Sequence, residues 1–374
     1  MKKIFLLSAM FLFVNLICGC IDNKMTVAKN ISVAEEKFDP VEEELKTLTL
    51  EEKIGQMMFI GVHGVQIDED IKFMLNAYKV GGIIYFDRNM ETLEQVRNFS
   101  AELQNNSKIP LFISLDEEGG KVSRMKHALP PPPSQETIGS SGDYNLARVH
   151  AIETSKKLRA IGINTNFAPV ADVGSKDTRS FSDDAKVVAE FVSSAAKGYE
   201  EENFFYTLKH FPGIGKAKVD PHKDISVIED SKNILEKEDL LPFKKIIAEQ
   251  DNSKFMIMVG HLKYSAIDTQ NVATLSPKII TDLLRNELNF QGVIITDDLG
   301  MGAISKYNDF SNLGIQAVKA GADILLSCHE YEQQKKICDG VLDAVQRGEI
   351  LEERINESVR RILKMKLQLN TIRS

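Results

Sequence analysis

Residues 204–213 read Phe204-Phe205-Tyr206-Thr207-Leu208-Lys209-His210-Phe211-Pro212-Gly213. The apolar run Phe204–Leu208 fits a buried strand bounded by a turn signal. It meets a basic pair, turns at Pro212-Gly213, and continues through Ile214-Gly215-Lys216-Ala217-Lys218-Val219 to Asp220-Pro221-His222. An apolar run that ends in ionisable groups recurs along the chain. Met57–Val62, Val80–Phe86, Pro110–Leu115, Asn164–Val173, Phe204–Phe211, Phe255–Gly260, Gly292–Thr296 and Ala322–Ser327 are all of this kind. Helical periodicity fills the gaps, as at Met90–Asn105, Asn145–Ile161, Ala185–Glu201, Ser231–Gln250, Ser276–Leu288 and Phe310–Ala320. Strands separated by helix-length crossovers pair in parallel. An open doubly wound sheet would give a similar string, but eight strands favour an α/β fold of the closed (β/α)8 TIM-barrel type.

Outward from this repeat, Glu42–Gln56 is expected to be one helix, with Leu45, Leu48, Leu50 and Ile54 inward and a capping-box pattern at Thr49 and Glu52. Two helices are expected in Tyr331–Met365, the second with Ile355, Val359, Ile362 and Leu363 on one stripe. Pro130-Pro131-Pro132-Pro133 reads as a stiff loop between strand and helix rather than a boundary. Residues 41–374 are therefore expected to be a single catalytic domain.

Residues 1–20 have the form of an export signal, with Lys2-Lys3 before an apolar segment from Ile4 to Ile17. Their end, Ile17-Cys18-Gly19-Cys20, resembles the lipobox of bacterial lipoproteins, which implies cleavage before Cys20 and lipidation of its sulfur. A simple cleaved signal peptide stays open. Residues 21–40 are polar and aperiodic and read as a flexible tether. The expected location is therefore an exported, membrane-anchored one.

The chain has 374 residues, 43% hydrophobic and 27% charged, which is ordinary globular composition. Its formal charge of −8 argues against a nucleic-acid binder, which needs a concentrated basic face. Loss of Lys2 and Lys3 would take it from −8 to −10. Cys328 and Cys338 show no metal-ligand spacing and read as buried thiols. No metal or cofactor is expected, and the protein is expected to be a monomer.

In a barrel of this type chemistry sits at the C-terminal strand ends. The third run ends in Asp116-Glu117-Glu118-Gly119-Gly120 and is followed by Arg124; the fourth is followed by Asp172 and Arg179. The fifth supplies Lys209 and His210, the sixth His261, and the seventh Asp297 and Asp298. A carboxylate beside an imidazole, as in Asp220-Pro221-His222, fits general acid/base work. Carboxylates on the opposite side fit glycosidic cleavage with a carboxylate nucleophile. The residues alone leave Asp297 and Asp298 both open for that role.

These motifs resemble the β-N-acetylglucosaminidase branch of glycoside hydrolase family 3, through Lys209-His210-Phe211-Pro212-Gly213 with Asp220 and His222. Five further stretches agree: Leu48–Met57, Asp116–Val122, Asn166–Val173, Ala273–Ser276 and Thr296–Met301. The resemblance implies Asp297 as nucleophile, His222 as general acid/base, and Asp220 as its orienting partner. It implies Asp116, Arg124, Arg179, Lys209 and His210 as sugar-binding residues, and a loop around His222 that closes on substrate. Ile214, Lys216 and Pro221 depart from the family pattern, and Pro221 fixes one backbone angle inside the dyad. The β-glucosidase branch takes its acid/base from a second sandwich domain, which is not expected here.

The expected activity is that of a retaining exo-β-N-acetylglucosaminidase, acting on terminal N-acetylglucosamine of peptidoglycan fragments or related glycans. The alternatives are a phosphorolytic enzyme of the same family and a non-catalytic glycan-binding lipoprotein.

Overall fold

The computed structural model describes residues 38–126, 128–174, 177–215, 225–306 and 308–373, with side chains to residue 369. Residues 1–37 and 216–224 fall outside the described residues, and with them Cys20, Lys216, Asp220, Pro221 and His222.

Eight parallel strands form the barrel: β1 (Met58–Gly61), β2 (Gly82–Tyr85), β3 (Phe112–Leu115), β4 (Thr165–Asn166), β5 (Phe205–Phe211), β6 (Phe255–Val259), β7 (Val293–Thr296) and β8 (Leu325–Ser327). Each pairs with its sequence neighbour, and β8 pairs with β1. A parallel bridge between Ile295 and Ile324 joins β7 to β8 and closes the ring. Each expected apolar run holds one strand. The fourth is the shortest, because the chain leaves the ladder after Asn166 and returns only at the Val170–Lys209 bridge.

The barrel floor is aromatic. Phe59 and Phe112 have ring centroids 5.6 Å apart, and Phe112 meets Phe205 edge-on at 5.6 Å. The Phe59 ring lies against Gly82, its ladder partner on β2, where an added Cβ would come within 2.6 Å of the ring. Filling this space with side chains leaves no channel, so chemistry is confined to the strand ends.

Two expected helices are each broken in two. Pro40–Thr47 and Leu50–Gln56 replace the single helix expected over Glu42–Gln56. The capping box is present, but as a start signal. Thr49 Oγ1 accepts from Glu52 N at 3.2 Å, and Thr49 N donates to Glu52 Oε2 at 3.0 Å. An N-cap needs extended backbone, so Thr49 ends the first helix as it begins the second. Lys232–Lys237 and Leu241–Glu249 likewise replace Ser231–Gln250, with Pro242 in the first turn of the second, where its missing N–H costs nothing.

The last helix, Glu352–Arg373, buries Ile355, Val359, Ile362 and Leu363, as the stripe implies. It also buries Lys366, whose ammonium donates to Gln56 Oε1 at 2.7 Å and sits 5.3 Å from the Phe112 ring centre. Burial brings this lysine down to about 7. Cys328 and Cys338 are buried free thiols.

Candidate active site

β3, β4 and β5 together deliver a charged network to one rim of the barrel. Lys209, 2% exposed on β5, extends its ammonium between Asp116 Oδ1 and Glu118 Oε1, at 2.6 Å from each. Arg124 Nη2 donates to Asp116 Oδ2 at 3.0 Å. Arg179 grips Glu118 in bidentate fashion, Nε to Oε2 at 2.7 Å and Nη2 to Oε1 at 2.9 Å. Burial alone would raise Asp116 and Glu118, but the neighbouring cations more than offset it and hold both carboxyls below their ordinary range. Burial likewise works to lower Lys209, yet Asp116 and Glu118 reverse the sign and leave it raised.

His210 joins the same network. Its Nδ1 lies 2.8 Å from Asp172 Oδ2 and its Nε2 lies 3.3 Å from Arg179 Nη2. A proton on Nδ1 satisfies both contacts, donating to the carboxylate and leaving Nε2 to accept from the guanidinium. Asp172 Oδ1 accepts from the backbone N–H of His210 at 3.1 Å and of Ile214 at 2.9 Å, which ties the turn after β5 to the end of β4. Burial pushes Asp172 up, and His210 with these N–H groups pulls its carboxyl below the usual range. The Lys209–His210 and Phe211–Pro212 peptide bonds are cis.

The residue that delivers Arg124 is Glu117. Buried, it accepts from Ser123 Oγ at 2.5 Å and from Arg124 N at 2.8 Å, while its own backbone is held by Asn166. Its role is therefore to anchor the loop.

On the other side, β7 ends in two adjacent carboxylates with different surroundings. Asp297 is half-buried, and its Oδ1 accepts from Asp298 N at 2.8 Å. Asp298 is buried, and its Oδ1 accepts from Gly300 N and Cys328 N, both at 3.0 Å. Burial raises the Asp298 carboxyl. The Cys328 thiol is itself pushed up by burial, then by Asp298, Asp116 and Asp297, so carboxylates from β3 and β7 act on one point of the rim. Tertiary packing thus separates two residues that the sequence left equivalent, giving Asp298 to backbone support and leaving Asp297 accessible.

His261 is not at the site. It lies buried beneath the rim, with Nδ1 2.7 Å from Thr274 Oγ1 and Nε2 donating to Asp298 O at 2.8 Å. It pins the segment that carries Asp297, and Thr274 belongs to one of the stretches quoted above.

Asp116, Arg124, Arg179, Lys209 and His210 are thus brought into one connected network. Sequence reading missed Asp87, just past β2, which takes Lys126 Nζ at 2.6 Å and Arg124 Nη1 at 3.7 Å. Its signal was available, since it follows the apolar run Val80–Phe86 just as Asp116 follows Leu115. Glu118 and Asp172 were legible as strand-end groups, but their task as shared counter-charges was not.

Residues 49–365 match the glycosyl hydrolase family 3 N terminal domain. A β-hexosaminidase of Nitrosomonas eutropha is 34% identical over 290 residues, covering 74% of this chain and 81% of the relative. A β-hexosaminidase A of Pseudoalteromonas piscicida is 32% identical, and the alignment spans 80% of this chain but only 55% of that protein. The solved structure of a glycoside hydrolase family 3 β-N-acetylglucosaminidase from Paenibacillus sp. str. FPU-7 superposes with a TM-score of 0.84 at 38% identity. It covers 87% of this chain and 63% of that one.

Proposed function

The chain belongs to glycosyl hydrolase family 3 and is a glycoside hydrolase; from that premise we propose that it is a lipid-anchored exo-β-N-acetylglucosaminidase working with retention. The observation that carries the reading is an accessible Asp297 at the end of β7, on the same rim as the Asp116–Lys209–Glu118–Arg179 network. Carboxylates and cations fixed in alternation can accept from and donate to the hydroxyls of one sugar ring without reorganising. The names of the relatives support an N-acetylhexosamine at that position.

In the proposed reaction the Asp297 carboxylate attacks the anomeric carbon as His222 gives its proton to the departing glycosidic oxygen. The glycosyl ester on Asp297 is then opened by water, whose proton returns to His222. Asp220 would orient the imidazole. The glycan is proposed to be a peptidoglycan fragment or a related polymer with terminal N-acetylglucosamine.

The test compares an aryl β-N-acetylglucosaminide with an aryl β-glucoside, with and without phosphate, using protein that lacks residues 1–20. Selective release from the acetamido sugar, unchanged by phosphate, is the expected result. A phosphate-dependent rate yielding a sugar 1-phosphate would replace hydrolysis by phosphorolysis. His222→Ala is expected to slow a poor leaving group by at least about 100-fold more than an activated aryl one, in line with general acid catalysis. Equal slowing of both would remove His222 from that role.

The ending Ile17-Cys18-Gly19-Cys20 supports a lipid on Cys20. Cys20→Ser is expected to shift the full-length protein from the membrane to the soluble fraction, and unchanged partitioning would refute the anchor.

A further inference from the structure

Three consecutive strand ends, those of β8, β1 and β2, carry rings beside the charged network. His63 follows β1, Phe86 follows β2, and His329 follows β8. His63 is exposed and packs on Tyr331 with ring centroids 4.5 Å apart; His329, whose side chain is 50% exposed, packs on Phe86 at 5.6 Å.

Both imidazoles are held in place. His63 Nε2 lies 2.7 Å from the backbone carbonyl of His329, so the His63 ring is tied to the main chain that carries His329. His329 Nε2 is 3.6 Å from Asp298 Oδ2, next in sequence to Asp297. The Phe86 ring also has cationic neighbours. The Arg88 and Arg124 guanidiniums lie 4.6 and 5.1 Å from its centre, which joins the rings to the charged network.

Depth divides the rim. Lys209, His210, Glu118 and Asp172 are nearly inaccessible and form a floor for the first sugar, whereas His63 and His329 stand at the solvent edge. A second pyranose would present its C–H face at that edge, and flat rings with a fixed tilt stack on such faces. The chain has no tryptophan, and these two imidazoles, backed by Tyr331 and Phe86, are exposed flat rings on this rim.

We infer that His63 and His329 form an outer subsite that stacks on the second sugar ring of the glycan. The inference rests on the N-acetylglucosaminidase reading of the inner site and extends it. They act in binding and take no part in bond cleavage.

The experiment uses two substrates of one inner sugar: β-N-acetylglucosaminyl fluoride, whose leaving group has no ring, and the β-1,4-linked N-acetylglucosamine disaccharide. In the His63→Ala/His329→Ala double variant, kcat/KM for the disaccharide is expected to fall about tenfold relative to that for the fluoride, the size of one stacking contact. The loss should appear in KM, and His329→Phe in the wild-type background should retain the disaccharide's KM. A parallel fall for both substrates, or no change in their ratio, would overturn the subsite. Wild-type protein active on both substrates, with a double variant whose disaccharide-to-fluoride ratio is unchanged, would sink this inference alone. Wild-type protein inert to both substrates would sink the reading of the inner site, and the subsite with it.

Discussion

Asp297→Asn is expected to lower kcat on an aryl β-N-acetylglucosaminide by at least about 10,000-fold, the scale seen when a covalent nucleophile is removed. Asp298→Asn, one residue away, is expected to lower it by less than about tenfold, a minor loss beside the effect of removing the nucleophile. The contrast follows from what each carboxylate does. Asp298 spends Oδ1 on the N–H groups of Gly300 and Cys328, and a carboxamide oxygen accepts both equally well. Burial raises its carboxyl from the ordinary carboxylate range. Among the described residues Asp297 Oδ1 accepts from the Asp298 N–H, and Asp297 is the more accessible of the two. Asp297→Ala would also leave space for azide, and an α-glycosyl azide formed from an activated substrate would report the face from which Asp297 acts. An Asp298→Asn protein as inactive as Asp297→Asn, yet folded, would refute the assignment.

Lys209→Met should be the most destabilising single change at the rim, by about 3–5 kcal/mol near neutral pH, because it leaves buried carboxylates without their shared cation. Lys209 is the cation common to Asp116 and Glu118, each at 2.6 Å. Both carboxyls lie below their ordinary range in the folded protein, so their contribution to stability is present above the unfolded values, near pH 4, and fades as pH falls through the folded ones. Removing Lys209 raises both, and the penalty is expected to shrink as the carboxylates become protonated. Urea unfolding of wild type and variant at pH 7 and pH 4 measures this. A penalty of equal size at both values would mean that Lys209 acts through packing alone. Arg124 and Arg179 remain as counter-charges in the variant, which places the expected loss toward the lower end of that range.

The same residues explain how far the sequence could be read. Apolar runs with parallel-sheet character are local signals, and each expected run holds one barrel strand. A strand end followed by Asp116, Lys209 or Asp297 is also local, because position along the strand dictates which end of the barrel it faces. Helix limits were less legible at Thr49 and near Pro242, where an apolar period continues across a break, at Thr49 one set by the Thr49–Glu52 capping box. His261 was misread for a related reason. It too follows a strand, but packing turns it inward, onto Thr274 and the Asp298 carbonyl.

By itself the sequence determined the strand count, a parallel α/β architecture that favours a closed barrel, the rim on which chemistry stands, and the family pattern shared by Asp116, Lys209, His210 and Asp297. These depend on periodicity and on residue type, which survive without coordinates. Only the tertiary structure decided which charges share a partner. Lys209 bridges Asp116 and Glu118, Arg179 links Glu118 to His210, and Asp298 accepts from Gly300 N and Cys328 N while Asp297 accepts from Asp298 N. It also brought His63, Phe86 and His329 together from strand ends as far as 266 residues apart in sequence. The physical reason is that an ion pair or a ring contact acts over a few ångströms in space, and barrel closure sets those distances between segments remote along the chain.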